Sequence, residues 1–143
     1  MTNMIEWDEK YSVDVPELDE SRKKLMDMFN ALIEMKANKG DAKDVANLIN
    51  EINEFSKVFF STEEKVIGRQ GYPDLDTHSK EHRQFIKRAI GLRRELAEDV
   101  DNLAMADVVE LRDWLLSHFE SADTLFVPFL RIHRYVDEFE NKK

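Results

Sequence analysis

The feature that most limits the fold of this chain is the helical spacing of its apolar residues, which continues through four long segments. In each segment the apolar side chains recur at three- and four-residue steps, as they do along one face of an amphipathic helix. The spacing predicts helices over residues 19–38, 42–69, 75–98 and 104–125. Helices of this length joined by loops of a few residues pack as antiparallel neighbours. The sequence therefore predicts an all-α, up-down-up-down four-helix bundle.

Local signals mark where these helices begin and end. Asp19 is a candidate N-cap after Pro16, and the glycine-containing segments 39–41 and 71–73 end the first two helices. Pro128 interrupts the last pattern. We expect a single domain made of an N-terminal arm (1–18), the bundle (19–125) and a tail (126–143) that forms a short further helix.

The composition excludes several classes of function. The formal net charge of -9 repels phosphate backbones, so nucleic acid is not an expected partner. The sequence has neither an apolar run long enough to cross a membrane nor the basic and apolar layout of a signal peptide. Cysteine is absent, so no disulfide contributes. We expect a cytoplasmic protein without a membrane partner, and no protein partner is predicted.

Polar residues occupy positions that the apolar spacing assigns to the core. They are Arg22, Glu63, the pair His78 and His82, and His118, one or two on each helix. In the antiparallel bundle the starts of the first and third helices share one level with the ends of the second and fourth. The five side chains should therefore meet in one layer. Burying several ionisable groups is costly unless they pair or bind a metal ion.

Three imidazoles and a carboxylate suit a first-row transition metal such as iron, zinc or manganese. Helix-bundle cores commonly hold such sites. The spacing His-x-x-x-His is a weak signal alone, but the convergence of four helices strengthens it. Trp114, one turn before His118, is expected to pack against that imidazole. The fourth histidine, His133, falls in the tail and is expected at the surface.

A series of motifs runs in order along the chain up to the tail: Trp7 and Tyr11, Leu18-Asp19-Glu20-Ser21-Arg22, Phe59-Phe60-Ser61-Thr62-Glu63-Glu64, Gly71-Tyr72-Pro73 with His78 and His82, and Trp114-Leu115 with His118, Phe119 and Asp123. This series resembles the bacterial hemerythrins. The resemblance implies a four-helix bundle that holds two irons, bridged by two carboxylates and an oxo or hydroxo group, and binds O2 reversibly. It also implies that His78, His82 and His118 bind one iron and that Glu63 and Asp123 are the bridging carboxylates. The spacing alone does not identify Asp123, which lies about 140° around the helix from His118.

Two positions depart from the family pattern. Arg22 and Phe59 stand where the family has histidines, and the resemblance assigns both histidines to the same iron, the one that binds O2. A guanidinium only donates hydrogen bonds and a phenyl ring binds no metal. We therefore expect Arg22 to replace the charge of the lost iron and Phe59 to fill its volume. Family O2 carriage takes one electron from each iron, so a single iron disfavours ordinary carriage.

The sequence thus predicts a hemerythrin-like, metal-binding protein with a mononuclear half-site. It would hold one metal ion per chain, iron first and zinc second, and would bind or sense iron, O2 or nitric oxide without turnover. Three alternatives stay open. The first is conventional di-iron O2 binding or storage with two irons per chain, if other ligands complete the second site. The others are a mononuclear iron enzyme acting on O2 or peroxide, and a metal-free interaction or signalling bundle.

Overall fold

The computed structural model contains four long α-helices and no strand within the part of the chain that it describes. The described residues are 4–13, 15–69, 71–98, 105–125 and 128, with only the backbone described for 96–98 and 122–125. The helices are α1 (Pro16–Ala37), α2 (Ala42–Arg69), α3 (Leu75–Glu98) and α4 (Met105–Leu125). The predicted all-α, four-helix architecture is confirmed. The predicted tail helix lies outside the described residues, and the single domain stays a prediction.

Contacts between helices follow the order of a bundle, in which α1 packs on α2, α2 on α3, α3 on α4 and α4 on α1. Arg22, near the start of α1, contacts Glu63, near the end of α2. His82, near the start of α3, contacts His118, toward the end of α4. Sequential helices are therefore antiparallel. The apolar residues expected to face inward on α1 are all buried: Leu18, Leu25, Met26, Phe29, Leu32 and Ile33.

The start of α1 differs from the prediction. The helix begins at Pro16, where a missing N–H costs nothing, so Asp19 lies in its first turn and is not the N-cap. The arm consequently ends before residue 16 and not at residue 18. The Asp19 carboxylate instead accepts hydrogen bonds from Ser12 Oγ at 2.5 Å and from the Val13 N–H at 2.8 Å. Asp19 therefore fastens the arm to the bundle.

The arm lies against the end of the bundle that carries the polar residues. It contains a 3₁₀ turn at Glu9–Tyr11, and this turn packs on α4. Tyr11 and Val13 are buried, and the rings of Trp7 and Tyr11 lie 5.9 Å apart. The arm thus covers the bundle as a lid of apolar side chains.

The helix α1 and the helix α2 end in the same type of turn. The Gly40 N–H donates to Met35 O and the Tyr72 N–H donates to Ile67 O, as in a Schellman motif. The residue in left-handed conformation is Gly71 (φ 74°) after α2 but Lys39 (φ 55°) after α1. Glycine is needed at position 40 for another reason, since a Cβ there would lie 2.6 Å from Met35 Cγ. The turn after α2 sets the start of α3 and hence the position of its histidines.

Within the described part of the chain, no helix combines the length and the apolar character that a membrane span requires.

Candidate metal centre

Four of the five predicted metal ligands lie together in the core. Glu63 comes from α2, His78 and His82 come from α3, and His118 comes from α4. All four are buried, with exposed fractions of 5% or less. One ligand atom from each can be chosen so that all four atoms lie within 4.8 Å of one another. Three helices therefore supply the donors of one compact site.

The three imidazoles point their Nε2 atoms at one oxygen of Glu63. The distances to Glu63 Oε1 are 2.6 Å from His78, 3.2 Å from His82 and 3.8 Å from His118. The Nε2 atoms of His82 and His118 are 3.0 Å apart. Two nitrogens that bind one metal ion at right angles, each about 2.1 Å away, are separated by about 3.0 Å. The donor set and its spacing therefore fit a transition-metal ion.

Arg22 faces the other oxygen of Glu63. Its Nη2 lies 3.2 Å from Glu63 Oε2, and neither side chain is exposed. Its Nη1 donates to Tyr11 O at 2.7 Å and to Phe119 O at 3.4 Å. The guanidinium carbon lies 4.4 Å from the centre of the Phe119 ring. Arg22 is thus held in the core by contacts to the arm, α2 and α4.

Phe59 packs next to this arginine through Phe119. The rings of Phe59 and Phe119 meet edge to face at 6.2 Å, and Phe59 is 2% exposed. Phe59 lies one turn before Glu63 on α2, so both side chains point from the same face of that helix. The Oε2 side of Glu63 therefore faces a buried cation, and the Phe119 ring packs against that cation.

The charge states of the site follow from these contacts. Burial by itself raises the pKa of Glu63, but the Arg22 charge and the imidazoles around Oε1 outweigh burial and hold that pKa well below its ordinary value. Burial also lowers the pKa of His82, against the raising effect of the Glu63 carboxylate. Glu63 is therefore a carboxylate and His82 a neutral imidazole at neutral pH. These are the forms that bind metal ions.

Aromatic rings orient two of the histidines. The Phe60 ring stacks on His82 at 4.0 Å with an angle of 9° between the planes. The Trp114 ring stacks on His118 at 5.4 Å and 5°. The predicted packing of Trp114 on His118 is confirmed. Phe60 was not predicted, because the apolar spacing singles out Phe59 whereas the buried face of α2 is wide enough to include both rings.

Glu81, at the edge of the histidine face of α3, contacts one of the core histidines. The His118 Nδ1 atom lies 2.9 Å from Glu81 Oε2, and the Glu81 side chain is only 39% exposed. The available signal was its place in the sequence, three residues after His78 and one before His82, at the edge of the histidine face. Whether that edge meets α4 depends on how α3 is rotated about its axis.

Two open cavities of about 270 Å³ flank the site. One lies between α3 and α4 and is lined by Glu81, Trp114 and His118. The other lies between α2 and α3 and is lined by Phe60, Glu64 and His82. The outer edges of His118 and His82 thus each face one cavity.

Two residues considered from the sequence are not placed. The backbone of Asp123 belongs to α4, but its side chain lies outside the described residues, and so does all of His133. The role of Asp123 as a second carboxylate ligand therefore stays a prediction.

The chain matches the family model described as "Hemerythrin HHE cation binding domain" over residues 13–130. It is 27% identical over 117 residues to a hemerythrin-like protein of Naegleria gruberi, covering 82% of this chain and 86% of that protein. It is 27% identical over 118 residues to a myohemerythrin of Theromyzon tessulatum, covering 82% and 87%. A bacteriohemerythrin of Clostridium acetobutylicum is 26% identical over 128 residues, covering 87% of this chain and 99% of the relative.

The family match spans the segments that carry Arg22, Glu63 and the three core histidines. Together with the buried cluster of one glutamate and three histidines, it indicates metal binding. On these grounds, the chain belongs to the hemerythrin family.

Proposed function

We propose that this protein binds one metal ion, iron in the first place, through His78, His82, His118 and Glu63, and that Arg22 supplies the charge of a second ion. The observation that carries the proposal is that the two oxygens of the Glu63 carboxylate face different partners. Oε1 faces the three imidazoles, whereas Oε2 faces the Arg22 guanidinium at 3.2 Å. A carboxylate that bridges two ions offers one oxygen to each, and here one of the two places belongs to an arginine.

The chemistry of Arg22 supports its role as a substitute for the charge of a second ion. A guanidinium stays protonated in proteins and has no lone pair to offer a metal ion. Its two terminal nitrogens are already engaged with Glu63, Tyr11 O and Phe119 O. Arg22 therefore balances the charge of Glu63 and occupies the place that a second ion would need. Phe59, whose ring contacts Phe119, offers no ligand atom either.

Such a site supports binding or sensing of iron, O2 or nitric oxide without turnover. A bound iron would supply one redox-active centre of the kind that binds small gas molecules. The protein holds the ion with neutral imidazoles and one carboxylate, and it encloses that layer with Phe60, Trp114 and the arm. Reversible O2 carriage of the di-iron kind is not expected, because it takes one electron from each of two irons.

The test is the metal content per chain after anaerobic loading with Fe(II) and separately with Zn(II), together with the visible spectrum of the iron-loaded protein after exposure to air. We expect one ion per chain and no absorption from an oxo-bridged pair. Two irons with that absorption would refute the half-site. No bound metal would refute metal binding and favour an interaction module. Saturable turnover of peroxide or O2 would refute the non-enzymatic role.

The double variant Arg22→His with Phe59→His provides the matched comparison. It returns histidines to the two positions at which the family pattern has them. We expect this variant to bind two irons per chain and to gain the oxo-bridged absorption, whereas either single variant gains neither. Binding of one ion by the double variant would argue against the assignment of Arg22 and Phe59 to the second metal position.

A further inference from the structure

The outer nitrogens of His118 and His82 have different surroundings. His118 Nδ1 lies 2.9 Å from Glu81 Oε2, a hydrogen-bond distance. His82 Nδ1 is buried and has no hydrogen-bond partner within the described part of the chain. The nearest carboxylate oxygen recorded for it, Oε2 of Glu64, is 3.8 Å away. The two histidines thus resemble each other in burial and stacking but differ in this one contact.

The contact with Glu81 decides where His118 carries its proton. A carboxylate only accepts hydrogen bonds, so an imidazole with a single proton holds that proton at Nδ1 when it makes this contact. The lone pair of Nε2 then points into the centre of the site. His82 Nε2, 3.0 Å away, can donate to that lone pair. Donation from Nε2 leaves the neutral ring without a proton at Nδ1, which agrees with the lack of a hydrogen bond from that atom to any described residue.

We propose that Glu81 is a positioning residue that holds His118 with its proton on Nδ1 and its Nε2 ready to bind a metal ion. His82, by contrast, must give up its Nε2 proton before it can bind one. The metal-binding part of this inference rests on the proposed function, whereas the proton position is a property of the metal-free protein. Carboxylates that accept from the outer nitrogen of a metal-binding histidine fix its orientation and increase its basicity.

The surroundings of Glu81 suit this role. Its side chain is 39% exposed and lines the cavity between α3 and α4, so its charge remains partly hydrated. The Trp114 ring, parallel to the imidazole at 5.4 Å, restricts rotation of His118. The ring thus sets the plane of the imidazole, and Glu81 selects the proton position within that plane.

The first experiment is nitrogen–proton correlation NMR of the histidine rings in metal-free protein. We expect the proton of His118 at Nδ1 in the wild type and in Glu81→Gln, because the amide oxygen still accepts. In Glu81→Leu we expect it at Nε2 or shared between the two nitrogens. The matched control is Glu64→Gln, which alters the carboxylate facing His82 and should leave His118 unchanged. An Nδ1 proton that persists in Glu81→Leu would overturn the proposal.

The second experiment measures Zn(II) and Fe(II) dissociation constants by chelator competition. We expect Glu81→Leu to weaken binding about 10–100-fold, Glu81→Gln to weaken it less, and Glu64→Gln to change it by less than about 3-fold. Equal weakening by Gln and Leu would make charge, and not the hydrogen bond, responsible and would overturn the proposal. If the wild type binds neither ion, the proposed function fails, while the NMR result still decides the role of Glu81.

Discussion

Replacement of Arg22 by methionine tests whether this arginine balances Glu63 in the core. The two groups are 3.2 Å apart and unexposed. Opposite unit charges at that distance attract by about 5 kcal/mol at an effective dielectric constant of about 20. Removal of one partner of a buried pair costs about 3–5 kcal/mol in practice. We therefore expect Arg22→Met to lower the free energy of unfolding of the metal-free protein by about 3–5 kcal/mol.

The assay is urea unfolding followed by circular dichroism, with a chelator present. A pH near 8 keeps the imidazoles from gaining the proton that would replace the lost charge, because the ordinary pKa of histidine is about 6.5. The double variant Arg22→Met with Glu63→Leu removes both charges and should recover most of the loss, to within about 1–2 kcal/mol of the wild type. A loss below about 1 kcal/mol in the single variant would refute the reasoning.

An exposed pair of the same chemistry serves as the control. Arg88 and Glu110 link α3 to α4 at 2.7 Å, but their side chains are 54% and 59% exposed. Solvent screens such a pair, so Arg88→Met should cost less than about 1 kcal/mol despite the shorter distance. If the exposed and buried variants cost the same, burial is not the source of the effect.

Three further predictions concern other parts of the fold. Asp19→Ala removes the carboxylate that accepts two hydrogen bonds from the arm, and it should lower the free energy of unfolding by about 1–2 kcal/mol. Hydrogen exchange at the Val13 amide should become faster, and unchanged exchange would contradict the role of Asp19 in holding the arm. Lys39→Gly should stabilise the protein by about 0.5–1 kcal/mol and Gly71→Ala should destabilise it by about 1 kcal/mol, because both positions have a left-handed backbone conformation. The measurement is thermal unfolding, and a shift of the melting temperature in the same direction for both variants would contradict the prediction. Phe60→Leu removes the ring stacked on His82 and should lower the free energy of unfolding by about 1–2 kcal/mol, measured in urea against the wild type; no loss would mean that the stack contributes nothing.

Local chemistry made most of the helix boundaries predictable. The bounds of α2 and α3 agree with the predicted ranges 42–69 and 75–98. Glycine-containing turns of defined hydrogen bonding separate α1 from α2 and α2 from α3. The start of α1 was missed because two local signals compete there. Asp19 is a good cap by type, but Pro16 suits the first helical turn and the arm uses the Asp19 carboxylate.

The inward positions of Arg22, Glu63 and the three core histidines were also predictable. Each interrupts a regular apolar spacing, and antiparallel neighbours bring the relevant helix ends to one level. A spacing gives the direction of a side chain only to within a sector of the helix surface. The spacing therefore could not show that Phe60 as well as Phe59 faces the core, or that the edge of α3 with Glu81 meets His118.

What the sequence determined by itself is the helical class, the antiparallel order and the set of residues that meet in the polar layer. Periodicity and loop length contain that information because they act over a few turns of one helix. Only the tertiary structure decided which oxygen of Glu63 faces the imidazoles and which faces Arg22. It also decided that Glu81 accepts from His118 Nδ1, whereas His82 Nδ1 has no hydrogen-bond partner among the described residues. These contacts depend on the rotation of each helix about its axis and on rotamers selected by packing from other helices, and no single segment of the chain specifies either.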